Sequence, residues 1–335
     1  MTTLPGSPAR PPRPDPRPPV AAVSAEAAAL GEGPRWDAER GELLWVDISA
    51  GMLHRARPAH GGEGTGSGVP TSGGELLVVG GARVGHPLGA AAPAAGGGWV
   101  LAAGEGFWHL DEAGGLVPLA QPEADRGGAT RMNDARTDPR GRLLAGTMAY
   151  DASPGAGRLH RLDPDGATVL LDGLTIANGL DWSLDGATLY LADSGVGTVE
   201  AIGYDVETGA LGERRVLVRT DPGGPEGVAD GLLVDAEGAL WVAMHGGGTV
   251  RRLSPDGELL LEVPLPVSQP TAPCFAGPDL DVLHMTTARE GLDDAALAAQ
   301  PLAGRVLRVG APGELGRGRP VVPWAGPVPQ GAGGG

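Results

Sequence analysis

Four short stretches set an oxygen-bearing side chain beside a glycine, or beside a second polar residue, directly ahead of an apolar run. They are Glu32 in LGEGPRWD, Asn178 in IANGLDWS, Asp230 in VADGLLVD, and the pair Asn133 and Asp134 in RMNDARTDPRGRLLAGTM. Carboxylate and amide oxygens are hard donors, and no His or Cys stands at the matching places. Glu32, Asn178 and Asp230 around one ion would suit Ca²⁺, Mg²⁺ or Mn²⁺ better than a thiolate or imidazole zinc site. Three protein donors underfill such a shell, so water or a substrate must complete it, as a catalytic metal requires. Each residue alone reads equally well as a turn or a cap; recurrence at one position relative to a strand sets them apart.

Donors so far apart in sequence need a scaffold that brings strand starts to one axis. Turn chemistry followed by short apolar runs returns along the chain, near residues 34, 93, 136, 180, 232 and 275, with ELLWV, TLYLA, ALWVA and DVLHMT as the clearest strands. A period of roughly 40–60 residues with about four short strands per unit is the signature of a β-propeller. Six copies predict an all-β, six-bladed β-propeller with a metal site in its central channel. Innermost strands line the channel, so the donors converge at its mouth, with Asn133 and Asp134 entering from the third blade. Glycine beside a donor lets the backbone come close to the axis. The expected layout is a disordered Pro-rich tail over 1–19, the propeller over 20–325 and a Gly-rich tail over 326–335, with a surface loop at 57–74. DPDG at 163–166 reads as a blade turn, since it lacks the third acidic position and closing Glu of an EF-hand. EGLDDAALAAQPLAG at 290–304 is the one helical segment.

Composition excludes several classes. With 41 Asp and Glu against 25 basic residues, all of them Arg, the formal net charge is −16. That argues against nucleic acid and against anionic membranes as partners. Absence of lysine removes a P-loop and a Schiff-base mechanism. No G-x-S-x-G elbow, dinucleotide fingerprint or H-E-x-x-H helix is present. Cys274 stands alone, so no intramolecular disulfide forms, and it reads as a small buried apolar residue. No secretory signal and no membrane-spanning window is visible, so a cytoplasmic protein is expected, and a monomer, because a closed propeller leaves no long open edge.

The segments LGEGPRWD, RMNDARTDPRGRLLAGTM, IANGLDWSLDGATLYLADS, VADGLLVDAEGALWVA and GGGTVRRLSPDGE run in order from residue 30 onward. In them the sequence resembles the gluconolactonase, regucalcin (senescence marker protein) and luciferin-regenerating-enzyme family. The resemblance implies a six-bladed propeller holding one divalent ion (Ca, Zn, Mn or Mg) on Glu32, Asn178 and Asp230. It implies hydrolysis of sugar lactones, aldono-1,4 or 1,5, to aldonic acids, in the manner of a gluconolactonase. Carried over by position, Arg131, Asn133 and Asp151 are the substrate contacts. Asp230, which would sit on the ion beside the attacking water, is the candidate general base, and Asp134 next to Asn133 orders its loop. Relatives often have Glu where Asp151 stands. Trp108, Met148, Tyr150 and His245 are candidate rim residues. The alternatives are a calcium-binding regulatory propeller of regucalcin type without turnover, which would have no need of Arg131, Asn133 and Asp151, and a protein-interaction platform.

Overall fold

The computed structural model describes residues 17–59 and 76–329; the expected 57–74 loop and both tails fall largely outside them. The described residues form six four-stranded antiparallel sheets arranged as the blades of a propeller. Blade 1 is β2 (Gly31–Asp37), β3 (Glu42–Asp47), β4 (Met52–Pro58) and β5 (Leu76–Arg83), from the axis outward. Blade 2 is β6 (Leu88–Pro93), β7 (Trp99–Ala103), β8 (Gly106–Leu110) and β9 (Leu116–Ala120). Blade 3 is β10 (Thr130–Thr137), β11 (Leu143–Ala149), β12 (Gly157–Asp163) and β13 (Gly166–Leu174). Blade 4 is β14 (Ala177–Trp182), β15 (Thr188–Asp193), β16 (Thr198–Tyr204) and β17 (Leu211–Arg219). Blade 5 is β18 (Val228–Val234), β19 (Leu240–His245), β20 (Thr249–Leu253) and β21 (Leu259–Pro264).

Blade 6 closes the ring. Its inner strands β22 (Pro270–Ala276), β23 (Val282–Thr287) and β24 (Leu307–Val309) come from the C-terminal part of the chain. Its outermost strand is β1 (Val20–Ala22), paired antiparallel to β24 with Val20 opposite Val309. This joins the first blade to the last by main-chain hydrogen bonds, so the ring opens only if a ladder breaks. The helical segment shrinks to α1 (Asp294–Ala299), capped by Asp293, whose Oδ1 accepts from Ala296 N at 2.8 Å. DPDG is the β12–β13 hairpin turn, with Asp163 opposite Gly166.

Inner strands are buried along almost their whole length, and second strands are nearly as apolar, because blades stack face to face. Each interface is one cluster shared by neighbouring blades. Trp241 of β19 meets Phe275 of β22 edge-on at 6.0 Å, for example. Cys274 is buried in such an interface, where burial pushes its thiol up to about 11. Many carboxylates in the repeats belong to the turns. Asp138 Oδ1 accepts from the backbone N–H of Arg140 and Arg142 at 2.9 Å each, and Asp235 Oδ1 from those of Glu237 and Ala239 at 2.9 Å each. These are local caps that satisfy turn donors.

The C-terminal segment after β24 straps one end of the channel. Going along it, Gly318 N donates to Leu280 O, Arg317 O accepts from Ala236 N, Arg319 reaches Val234 O and Trp182 O, Ala325 N donates to Gly141 O, and Trp324 N donates to Pro93 O. It therefore touches blades 6, 5, 4, 3 and 2. Trp324 anchors it, buried among Ala90, Ala92, Ala94 and Val100.

Candidate metal and substrate site

Each inner strand carries a register irregularity at the same height. The breaks fall between Glu32 and Arg35, Leu88 and Ala90, Met132 and Ala135, Ala177 and Leu180, Ala229 and Leu232, and Pro270 and Pro273. A bulge frees residues from the ladder and re-aims their side chains. The clustered polar residues of the sequence are the residues at these bulges: Glu32, Asn133 with Asp134, Asn178 and Asp230. Adjoining glycines let neighbouring bulges touch. A Cβ on Gly179 would lie 2.5 Å from Asp230 O, and one on Gly231 would lie 2.3 Å from Ala272 Cβ. Any larger residue there would separate the inner strands that carry the donors.

Two blades give nothing to this ring. In blade 2 the bulge holds Gly89, against which Asn133 O packs so closely that no side chain fits. In blade 6 Thr271 Oγ1 donates to Gly31 O at 2.6 Å and pairs with Thr286 Oγ1 at 2.9 Å.

Around a cavity of about 190 Å³, the other four blades contribute three tiers of side chains. At the floor are Glu32, Asn133, Asn178 and Asp230, all buried. Two residues earlier on each inner segment, on the same strand face by the period-2 rule, are Leu30, Arg131, Ile176 and Val228. The last tier, from the ends of the second strands, is Ile48, Met148, Ser194 and His245.

Hydrogen bonds hold the floor. Asn178 Nδ2 donates to Asp230 Oδ1 and to Ser194 Oγ at 3.1 Å, and Ser194 Oγ donates to Ala229 O at 2.7 Å. Asn178 Oδ1 is left buried with no partner. Asn133 Nδ2 donates to Ala177 O at 2.9 Å, and its Oδ1 accepts from Arg131 Nη1 at 2.8 Å. Glu32 Oε2 accepts from Gly33 N at 2.9 Å.

Among the described residues, two buried carboxylates act on each other here, with no ion pair to a cation from either. Burial, then Asp134, pushes Glu32 up to about 8, opposed by Gly33 N–H, Arg35 and Arg131. Burial first, then Glu32 and Asp134, raises Asp230 well above the usual carboxylate range. Arg131 is itself pushed down by burial. Beneath the floor Arg35 crosses the channel: its Nη2 is 3.2 Å from Asp134 Oδ1 and donates to Ala135 O at 2.7 Å. Asp134 Oδ1 also accepts from Ala135 N at 2.8 Å, so this carboxylate orders the bulge. Farther along the axis, Asp181 binds both Arg136 and Arg319, at 3.3 and 3.0 Å. A larger cleft of about 250 Å³ opens there, but Asp181, Arg136 and Arg319 are spent on one another and Asp185 on Ser183 Oγ and Ala187 N.

Among the described residues, no three His, Cys, Asp or Glu side chains converge on one point. The donor set that does converge is two carboxylates and an amide. Those residues fit a divalent cation: an orphaned amide oxygen and two mutually repelling, desolvated carboxylates are the partners a hard cation takes.

Of the six expected site residues, Glu32, Arg131, Asn133, Asn178 and Asp230 line this cavity and Asp151 does not. Asp151 lies in the exposed turn after β11, where its Oδ1 accepts from Ser153 N at 3.0 Å and Ser153 Oγ at 2.7 Å. An Asp two residues before a Ser closes a local Asx turn more cheaply than it reaches a channel. Of the rim candidates, Met148 and His245 line the cavity; Trp108 stacks on His86 at 5.0 Å and Tyr150 is exposed. Sequence reasoning named Arg131 but missed Ser194, Ile48 and the apolar members of the second tier, Leu30, Ile176 and Val228. The tier's signal was present, since its members stand two residues before each donor.

Comparison with known proteins gives the family. The SMP-30/gluconolactonase/LRE-like family model matches residues 30–289. The chain is 36% identical to regucalcin of Xenopus laevis over 298 residues, 87% of this chain and 93% of that protein. It is 34% identical to regucalcin of Homo sapiens over the same shares. Among solved structures it resembles a regucalcin from Agrobacterium tumefaciens described as a calcium-binding protein, with a TM-score of 0.80 and 30% identity, covering 92% of this chain and 97% of that one. A luciferin-regenerating enzyme matches with a TM-score of 0.80 and 29% identity, covering 92% and 99%.

Proposed function

Because the chain belongs to the SMP-30/gluconolactonase/LRE-like family, we propose that it is a divalent-metal-dependent lactonase, which opens a cyclic ester to a hydroxy acid. The observation that carries this reading is the floor of the cavity, where the unpartnered Oδ1 of Asn178 meets the raised carboxyls of Glu32 and Asp230. These three residues would hold the ion, taken from Ca²⁺, Zn²⁺, Mn²⁺ and Mg²⁺. When bound there, a divalent cation supplies Lewis acidity toward the lactone carbonyl and raises the acidity of water.

The remaining work falls to the chain. Both side-chain hydrogen bonds of Arg131 use Nη1, to Asn133 Oδ1 and Met132 O, so Nε and Nη2 are the atoms that meet a substrate's oxygens. Asn133, tied at both ends of its amide, positions Arg131 and walls the floor. Asn178 Nδ2 occupies Asp230 Oδ1, leaving Oδ2 as the atom that takes a proton from the attacking water. The water oxygen bonds to the carbonyl carbon, the ring C–O bond breaks, and that proton passes to the leaving ring oxygen, giving a hydroxyl and a carboxylic acid. The floor residues are buried, which strengthens each electrostatic contact made there.

Aldono-1,4 and aldono-1,5 lactones head the substrate panel, as the resemblance implies. Acid release from that panel, across the four metals after chelation, tests the reading in wild type and Asp230→Ala. Activity of the variant near wild type would remove both roles from Asp230. A second reading is favoured by the calcium-binding description of the Agrobacterium tumefaciens neighbour: a non-catalytic calcium-binding propeller. It predicts calcium-dependent stabilisation with no turnover of any lactone.

A further inference from the structure

The tiers above the floor have a chemistry of their own. A sugar lactone carries a hydroxyl on nearly every ring carbon, and each one buried without a partner costs roughly tenfold or more in binding. The upper walls offer few partners. Of the second tier, Leu30, Ile176 and Val228 are apolar, and Arg131 is the exception. Of the third, Ile48 and Met148 are apolar, and the Ser194 hydroxyl is spent on Asn178 and Ala229. Acidic groups around this end are engaged elsewhere: Asp151 by Ser153, Glu290 by Ser49 Oγ at 2.5 Å, Asp47 by the N–H of Leu30 and Asp193 by the N–H of Ile176. That leaves Arg131 and His245 as the polar groups on the wall, and burial pushes His245 down, toward its neutral ring.

We infer that this cavity is built for a lactone bearing an alkyl substituent, with the reacting carbonyl on the polar floor and the chain against the apolar collar of Leu30, Ile48, Met148, Ile176 and Val228. The collar follows from register. On each inner segment the residue two places before a donor shares its face, and in three of the four blades that residue is aliphatic. Leu30, Met148, Ile176 and Val228 are half-buried and Ile48 is buried, and apolar side chains still facing a cavity gain by covering a substrate's methylenes, at about 0.8 kcal/mol or roughly fourfold per CH₂. They gain nothing from hydroxyls. Arg131, the one cation in the collar, faces the ester oxygens and fixes which end of the ring enters. This inference rests on the lactonase reading and names its substrate class.

The test is a series of δ-lactones with saturating Mn²⁺ or Ca²⁺, followed by acid release: glucono-1,5-lactone, unsubstituted δ-valerolactone, then δ-hexalactone, δ-octalactone and δ-decalactone. In the wild-type protein kcat/KM should climb roughly fourfold per methylene until the collar is filled, and pass that of glucono-1,5-lactone. A flat series, or a preference for the sugar lactone, overturns the inference while leaving the lactonase reading intact. Should no lactone be opened with any metal, the lactonase reading fails. The collar is then judged by melting temperature with the same lactones as ligands, where a rise with chain length upholds it and no rise sinks it. Ile176→Thr with Val228→Thr, which keeps branched residues at both places, should cut the decalactone-to-gluconolactone ratio by roughly tenfold.

Discussion

Glu32 should be a residue whose neutralisation stabilises the metal-free protein. Its carboxyl is buried, faces Asp134 and Asp230, and is raised from an ordinary 4.5 to about 8. A carboxyl raised in the fold holds its proton more tightly there than in the unfolded chain. The folded state is therefore penalised as pH climbs from 4.5 to about 8, and the penalty is constant above that. By linkage it amounts to about 3 kcal/mol at pH 7 and about 5 kcal/mol above pH 8.5. Glu32→Gln keeps the shape and removes the ionisation. At roughly 2 °C per kcal/mol for a chain of this size, the melting temperature in chelator should rise by roughly 6 °C at pH 7, by more at pH 8.5, and hardly at all at pH 4.5. With saturating Ca²⁺ or Mn²⁺ the order should reverse, since wild type gains binding energy that the variant has lost. Differential scanning calorimetry at these pH values, with and without metal, reads all of this. A variant that melts no higher than wild type at pH 8.5 in chelator, or a gain that ignores pH, would refute the electrostatic account of the floor.

Three further outcomes follow from particular contacts. Arg35→Met strands the buried Asp134 carboxylate and should cost about 3–5 kcal/mol in urea unfolding. Trp324→Ala removes the strap's anchor from the blade 2–blade 3 interface. It should destabilise by about 3–5 kcal/mol, with kcat changed far less than stability. Asp151→Ala removes an exposed turn cap, so kcat/KM on the best lactone should stay within about twofold of wild type; a loss beyond tenfold would return Asp151 to the substrate.

The architecture was legible because its signals are local. ELLWV, TLYLA and ALWVA behind Asp–Gly turns need only short-range chemistry to become strands, and their recurrence counts the blades. Glu32, Asn178 and Asp230 were legible as residues of one cavity for the same reason: a polar residue next to glycine ahead of an apolar run is a pattern within a few residues. Asp151 shows the opposite case. A position carried over by resemblance says which turn a side chain leaves from, while Ser153, two residues on, decides where it goes. Ser194 gave no sign, because its role depends on Asn178 one strand over and Ala229 one blade over.

By itself, then, the order of residues determined an all-β repeat closed on itself and a set of oxygen-bearing residues with no His or Cys at the matching places. Hydrophobic periodicity and turn chemistry act over a few residues, so one dimension contains them. Tertiary structure alone decided that the first strand, Val20–Ala22, completes the last blade, and that Arg35 braces Asp134 from across the channel. It also decided that blades 2 and 6 stay out of the site, and that an aliphatic collar sits over a charged floor. Those outcomes depend on which bulges meet at the axis, and closing a ring of six blades sets distances between residues that are hundreds of positions apart in the chain.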